Sequence, residues 1–256
     1  MRNAALIGFY TMVRKDVIRI FRIWSQTLLP PIITMALYFV IFGTFIGSQL
    51  DPINGHSYID FIVPGLVMMT IITSAYMNTV STFYFAKFIK NIEELLVSPM
   101  PSWVIVAGFV AGGVVRSFLV GFLVIVTSLL FTDLPITNTW VIFAAALLTS
   151  FLFSFAGLVN GFFAKSFDAI SIVPTFVLTP LTYLGGVFYS ISLLPEPFRT
   201  LSLFNPILYM VNAFRYGFLG FSDINIVLCF AVLIGLTILF FAVTLWLFIR
   251  GAGFKS

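Results

Sequence analysis

The stretch INIVLCFAVLIGLTILFFAVTLWLFI, residues 224–249, decides the fold of this chain because it contains no charged residue. A helix crosses the hydrocarbon core of a bilayer with about 20 predominantly apolar residues. In hydrocarbon every backbone N–H and C=O must be paired within the segment, and this stretch lacks the alternation of a membrane barrel strand. It is therefore predicted to be a transmembrane helix.

Similar stretches precede it at residues 28–47, 61–83, 103–131, 139–163 and 170–190. The composition agrees, since 61% of the 256 residues are hydrophobic and 9% are charged, whereas soluble domains carry about 25% charged residues. Spans and short connections use up the whole length. We expect an all-α integral membrane protein with six transmembrane helices and a single membrane domain over residues 1–256.

The N-terminal residues 1–24 carry charge throughout and do not form a cleavable signal peptide. Apolar side chains recur on one helical face, at Leu6, Tyr10, Val13, Val17, Ile20 and Trp24. Most of the cations fall elsewhere, at Arg14, Lys15, Arg19 and Arg22. This pattern predicts an amphipathic interfacial helix held by membrane lipids. A peripheral helix packed on its own protein is the alternative.

Flanking cations set the orientation of a membrane protein. Residues 1–24, 86–102, 165–168 and 250–256 contain five, two, one and two Lys plus Arg, whereas 48–58, 132–138 and 190–223 contain none, none and two. Both termini are therefore expected in the cytoplasm. The net charge of +4 is explained by this distribution, so nucleic-acid binding is not expected.

Two segments differ from plain spans. Residues 85–98 form a helical apolar stripe with charges beside it, which Ser98-Pro99-Met100-Pro101 ends, and this predicts a short cytoplasmic helix. The spacing of Lys90 to Glu93 and Glu94 also allows a simple intrahelical ion pair.

In 171–222, Pro174, Pro180 and Gly185-Gly186 interrupt the fifth span, and two short helices, about 198–204 and 207–216, follow. Because pieces this short cannot cross the membrane, they predict a re-entrant or surface hairpin on the outer side.

The run LFNPILYMVNAFR at 203–215 resembles the outer-loop signature of the type-2 ATP-binding-cassette (ABC) exporter permeases. The run IEELLVSP at 92–99 is similar to the cytoplasmic coupling segment of that family. The resemblance extends over nearly the whole chain and is closest to small bacterial inner-membrane permeases that work with a separate ATPase.

The resemblance implies a homodimer in the inner membrane, with one ABC ATPase subunit docked under each permease. It implies a coupling helix over 85–99, with ATPase-coupling residues at Lys90, Glu93, Glu94, Leu95 and Pro99. It implies an outer hairpin over 191–222 that carries the motif residues Asn205, Pro206, Tyr209 and Arg215. No cofactor is expected in this chain. ATP and Mg would be bound by the partner ATPase, because Lys165-Ser166 follows Ala164 where a phosphate loop requires Gly.

Other classes of function remain to be weighed. An enzyme is not expected, because the single His56 lies in a loop and the acids are scattered. An ion-coupled secondary transporter is the stronger alternative, but such carriers usually place acids or histidines within their spans, and here Asp60 and Asp168 lie only at span boundaries. A non-transporting assembly factor stays open.

Arg116 is the only charge within a predicted span, so it either reaches the cytoplasmic headgroups or faces a substrate path at the dimer interface. The substrate class, whether amphipathic, lipidic, drug-like or glycan, is not resolved by the sequence.

Overall fold

A computed structural model describes residues 2–53 and 55–251. The described residues form helices and no strand, apart from a single bridge between Ile53 and His56. In chain order the helices are α1 (Arg2–Arg22), α2 (Trp24–Thr27), α3 (Leu29–Tyr38), α4 (Tyr58–Phe88), α5 (Asn91–Val97), α6 (Ser102–Ser128), α7 (Thr139–Phe163), α8 (Ala169–Val173), α9 (Thr179–Tyr183), α10 (Glu196–Leu203), α11 (Pro206–Leu219) and α12 (Ile226–Ile249).

Two of these helices continue into short segments of π-helix or 3₁₀-helix. α3 runs into a π-helix at Phe39–Ile46 and a 3₁₀ turn at Gly47–Gln49, and α8 joins α9 through a π-helix at Pro174–Leu178. A 3₁₀ turn at Ile191–Leu193 precedes α10. The π-helix that begins at Pro174 is the interruption that the prolines of this segment predict.

Among the described residues, five helices are long and apolar enough to cross a membrane: Trp24–Gly43, Tyr58–Phe88, Ser102–Ser128, Thr139–Phe163 and Ile226–Ile249. The all-helical membrane fold is thus confirmed, and these helices correspond to five of the six predicted spans. The remaining one, predicted over 170–190, is a shorter apolar helix at Ala169–Tyr183. It ends early because Gly186, with a φ of +70°, turns the chain out of helical geometry.

The long helix α4 is the centre of the bundle and packs against α6, α7 and α11. Small residues allow this close approach, as is usual between helices in membranes. A Cβ added at Gly157 of α7 would lie 2.7 Å from the carbonyl oxygen of Tyr76, and one at Gly113 of α6 would lie 2.2 Å from Oγ1 of Thr79. The hydroxyls of Ser117 and Ser150 are 2.8 Å apart and join α6 to α7.

The N-terminal helix α1 packs along one side of α6. Met12 and Asp16 lie against Gly108 and Gly112, whose missing Cβ atoms make room for them. The opposite side of α1 keeps large apolar side chains exposed, including Leu6, Ile7, Tyr10 and Phe21. One side of α1 is therefore packed on the protein itself, as the alternative of a peripheral helix predicts. The other side leaves an apolar face that could enter the headgroup layer, as an interfacial helix requires.

The predicted cytoplasmic helix over 85–98 is interrupted in the structure. Its first turn belongs to α4, which ends at Phe88, and a new helix begins at Asn91. Lys90 lies between them with a φ of 61°, a left-handed conformation that is uncommon outside glycine. The prediction of one continuous helix was wrong here because periodicity does not reveal a reversal between two segments of the same apolar pattern.

Candidate functional site

The short helix α5 stands at the end of α4 and presents two unlike faces. Ile92 is 3% exposed and anchors α5 to the bundle, and Leu95 is half-buried. Glu93 and Glu94 are exposed, and Val97 is 87% exposed. α5 is thus fixed by one face and leaves an acidic and apolar face uncovered in the monomer.

The remaining coupling residues named by the resemblance lie at the two ends of α5. Lys90 is exposed in the turn before the helix, and it forms no ion pair with the carboxylates of α5 in the described part of the chain. Pro99 lies in the non-helical residues that follow Val97. Ser98 closes the helix by donating a hydrogen bond of 2.6 Å to the carbonyl oxygen of Leu95.

A cavity of about 280 Å³ separates α5 from the N-terminal helix. Its walls include Lys15 and Arg19 of α1 and Glu94 and Leu95 of α5. The chain thus brings α1 and the turn that carries α5 to the same end of the bundle, although they are far apart in sequence.

A buried polar cluster joins α1 to α4 beside this cavity. Asp16 is 4% exposed and lies 3.7 Å from Arg19, whose Nη2 donates to Oδ1 of Asn78 at 2.9 Å and to Oγ1 of Thr82 at 2.5 Å. Burial raises the pKa of the Asp16 carboxyl above its ordinary value, and the opposing effects of Arg19, Lys15 and Asn78 are smaller. Sequence analysis did not find this cluster, because Asp16 resembles any other charge on an amphipathic helix.

Arg116 lies half-buried within α6. Its Nη2 is 3.5 Å from the carbonyl oxygen of Thr27, at the break between α2 and α3, and its Nε has no partner among the described residues. Arg116 therefore points toward the junction of the N-terminal helix and the first span.

Lys87 is a second contact that sequence analysis missed. Its Nζ donates to the carbonyl oxygens of Phe162 at 2.9 Å and Ala164 at 3.4 Å. These carbonyls belong to the end of α7, where unpaired C=O groups and the helix dipole favour a cation. Lys87 thus joins the ends of α4 and α7.

The predicted outer-hairpin motif begins at the turn between α10 and α11. Nδ2 of Asn205 donates to the carbonyl oxygen of Leu181 at 2.6 Å, while its Oδ1 accepts from the backbone N–H of Ile207 at 3.0 Å. Asn205 therefore caps α11 and fastens it to the segment before it. Pro206 occupies the first helical position, where its missing N–H has no cost. Tyr209 donates from its hydroxyl to the carbonyl oxygen of Leu203 at 2.7 Å.

Arg215 lies at the other end of the bundle from α5 and is completely buried. Its Nη2 donates to the carbonyl oxygen of Gly186 at 2.7 Å, and its guanidinium carbon lies 3.8 Å from the ring centroid of Phe61. Nη1 is 4.0 Å from Oδ2 of Asp223. The resemblance named Arg215 as a motif residue of the hairpin, and the structure buries its side chain against protein.

Asp223 completes this arrangement and was not predicted as a partner. It accepts from the hydroxyl of Ser190 at 2.7 Å and from the backbone N–H of Ile191 at 3.3 Å. Its own N–H donates to Oδ1 of Asn212 at 2.8 Å. The only sequence signal for this pair was an acid, Asp223, eight residues after Arg215. The contact itself depends on the loop after α11, which brings Asp223 back to that helix.

The described residues contain no group of three or more His, Cys, Asp or Glu that could hold a metal ion. The buried polar groups described above connect one helix to the next. Together with the five long apolar helices, they define a multi-pass helical membrane domain with an apolar core in which buried polar contacts join the helices.

The chain matches the family described as ABC-2 type transporter over residues 8–219, and it belongs to that family. It is 56% identical to the inner membrane transport permease YadH of Escherichia coli K12, with all of both chains covered. It is 25% identical to nodulation protein J of Rhizobium leguminosarum bv. viciae over 77% of this chain and 76% of the relative. The resemblance deduced from the two motifs is thereby confirmed, and the chain is a membrane transport permease, a class that implies an ABC ATPase as partner in general.

Proposed function

We propose that this chain is the membrane-spanning subunit of an ATP-driven exporter, whose ATP and Mg are bound by a separate ATPase subunit. The permease is a homodimer in the bacterial inner membrane, with one ATPase under each copy. Its substrate is amphipathic, lipidic, drug-like or glycan. The observation that carries the proposal is the exposed face of α5.

α5 is suited to transmit movement because it is connected to the bundle at several points. Ile92 anchors it, the turn at Lys90 joins it directly to α4, and Lys87 links that end of α4 to α7. Its uncovered Glu93, Glu94 and Val97 provide charge and apolar surface for a partner, the mixture that protein interfaces use. A displacement of α5 by the ATPase would therefore move α4, the helix at the centre of the bundle.

The outer hairpin is proposed to be re-entrant. The end of α11 meets the start of α7, where the N–H of Asn138 donates to the carbonyl oxygen of Gly217 at 2.8 Å. The start of α11 borders the same cavity as Leu152, which lies about 20 Å further along α7 at 1.5 Å per residue. α11 has 14 residues and is therefore about 20 Å long, about two-thirds of a hydrocarbon core of about 30 Å. This length supports a hairpin whose inner tip is at Asn205.

The dimer is proposed to use apolar surface that the monomer leaves uncovered. Ile33, Leu37 and Ile41 on the first span are exposed, as are Ile172 and Phe176 on the interrupted fifth segment. Phe176 is 73% exposed. These surfaces face either a second copy or lipid, and a disulfide cross-link between Phe176→Cys residues of two copies would support the dimer.

The experiment that tests the proposal is reconstitution of the chain with an ABC ATPase that lacks its own membrane domain, beginning with any encoded beside it. We expect the two proteins to copurify and ATP hydrolysis to depend on the permease and to rise with an exported amphiphile. Transport driven by an ion gradient without ATP would favour a secondary carrier. Normal assembly without any transport would favour an assembly factor.

A further inference from the structure

A cavity of about 430 Å³ lies inside the protomer, between α4, α7, the 169–183 segment, α11 and α12. Its volume is within the range of about 300–1,000 Å³ that is usual for ligand pockets. The walls are almost entirely apolar, with Leu152, Phe153, Met210 and Phe240 among them. No part of α5 borders it, so the cavity is separate from the proposed ATPase contact.

One polar group in this cavity lacks a partner. Tyr76 is 1% exposed, and its hydroxyl makes no hydrogen bond of ordinary geometry among the described residues. The side chain of Asn160 is close by, but its Nδ2 is directed to the carbonyl oxygen of Ile170 at 3.4 Å. A buried tyrosine hydroxyl usually finds a partner, because leaving it unpaired costs free energy. The Tyr76 hydroxyl is therefore a donor beside the cavity that a ligand with an acceptor atom could satisfy.

The cavity reaches the surface of the bundle. Phe163 at the end of α7 is 63% exposed, and Val177 on the neighbouring segment is 45% exposed, and both line it. The opening lies toward Lys165 and Asp168, the loop predicted to face the cytoplasm. In a bilayer this position adjoins the hydrocarbon of one leaflet, and an apolar cavity attracts a chain rather than water.

The far end of the cavity is formed by the tip of the hairpin. Pro206 and Ile207, at the start of α11, line it together with Leu181, the residue whose carbonyl oxygen Asn205 holds. The polar groups of Tyr76 and Asn160 and the opening at Phe163 thus stand toward one end, and a wholly apolar wall stands at the other. This polarity matches a molecule with an oxygen-bearing head and a hydrocarbon tail.

We propose that this cavity binds one hydrocarbon chain of an amphiphile, with the Tyr76 hydroxyl donating a hydrogen bond to an ester, carboxyl or hydroxyl oxygen at the head of the chain. The apolar tail extends toward Met210 and the start of α11. Because the walls carry no charge, the oxygen that Tyr76 binds is uncharged, and any charged part of the head remains at the opening near Phe163.

The probe for the test is palmitic acid with a photoreactive diazirine on its chain, added to the full-length chain in vesicles of phosphatidylethanolamine and phosphatidylglycerol. After illumination, peptide mass spectrometry locates the label. We expect saturable labelling at Phe153 and Met210 that unlabelled palmitate displaces. Equal, non-saturable labelling of the cavity and of Ile238, which faces outward on α12 with 62% exposure, would overturn the proposal.

Variants identify the groups involved. Tyr76→Phe removes only the hydroxyl and should raise the probe concentration for half-maximal labelling about fivefold, the effect of one ordinary hydrogen bond. Tyr84→Phe, at a buried tyrosine two turns along the same helix that does not line the cavity, should leave it unchanged. Ala156→Trp should abolish the cavity labelling, with Ala156→Leu as the milder variant if the first does not insert. Unaltered labelling in Tyr76→Phe and both Ala156 variants would contradict the assignment.

The source of the chain is distinguished by competition. Displacement by added free palmitate alone assigns the cavity to single-chain amphiphiles, whereas dilution by phosphatidylglycerol assigns it to a chain of the surrounding phospholipid. The labelling needs no ATPase, so its failure would leave the proposed export function untouched.

Discussion

The guanidinium of Arg215 and the carboxylate of Asp223 face each other at 4.0 Å, from Nη1 to Oδ2, with side-chain exposures of 0% and 9%. Eight residues and the end of α11 separate them in the chain. Arg215 also bonds to Gly186 and lies on the ring of Phe61, so one side chain connects α4, α11 and the loops on either side of the hairpin.

Removing the acid should therefore destabilise the end of the bundle opposite α5. We expect Asp223→Ala to lower the free energy of unfolding by about 3 kcal/mol, because it leaves a buried charge without its partner. The measurement is the decrease in the midpoint temperature of thermal unfolding of the detergent-solubilised protein. The matched control is Glu196→Ala, which breaks the exposed pair of Glu196 and Arg199, at 3.5 Å, and should change stability by less than about 1 kcal/mol.

The face of α5 supplies a second prediction. The double variant Glu93→Ala with Glu94→Ala should lose coupled ATP hydrolysis and export at normal membrane abundance, because both carboxylates are exposed and available to a partner. Copurification with the ATPase and transport by vesicles are the measurements. Glu196→Ala, at an exposed acid outside α5, is the control. Full activity of the double variant would show that these carboxylates belong to a surface without a partner.

Arg116 gives a third prediction. Arg116→Lys keeps the charge and should retain substantial export, whereas Arg116→Gln should lose it, with both proteins inserted at normal levels. The physical reason is that the cation, close to the carbonyl oxygen of Thr27, would meet an anionic group of the substrate in a water-filled path. Export by Arg116→Leu at the level of the unaltered protein would remove this residue from the substrate path.

Asp16 makes the stability of the protein depend on pH. Because burial raises its pKa above the ordinary 3.8, the folded state binds the proton more tightly than the unfolded state. Stability should therefore fall as the pH rises from about 3.8 through the raised pKa and then level off. Asp16→Asn should flatten this decline, measured by thermal unfolding between about pH 4 and pH 7. Asp133→Asn, at an exposed acid, should leave the decline unchanged.

The orientation is tested by cysteine labelling from outside intact cells. The native Cys229 is buried and should stay unlabelled. Ser192→Cys should react with a membrane-impermeant maleimide, and Ser166→Cys should react only after permeabilisation, because the flanking cations predict that these loops lie on opposite sides. Position 256 lies outside the described residues, and Ser256→Cys should behave like Ser166→Cys. Strong outside labelling at position 256 would reverse the topology.

Much of the fold could be predicted because membrane spans depend on local composition. A run such as 226–249 satisfies its backbone by itself and is apolar all round, so its sequence is sufficient to define a helix. The breaks could also be predicted, since Pro174 and Gly186 act on the backbone at their own positions. The reversal at Lys90 could not, because a left-handed lysine leaves no mark on the hydrophobic pattern.

The sequence by itself determined the helical membrane class, the order of the spans, the motif at Asn205-Pro206 and the family that the motifs identify, because these depend on residues close together in the chain. Only the tertiary structure decided which polar groups meet. The contacts depend on how helices cross and where loops bring the chain back, because the partners come from different elements. The pairs are Asp16 with Asn78, Arg116 with Thr27, and Asp223 with Arg215. The cavity at Tyr76 has the same origin, since five separate segments enclose it and none of them alone carries its pattern.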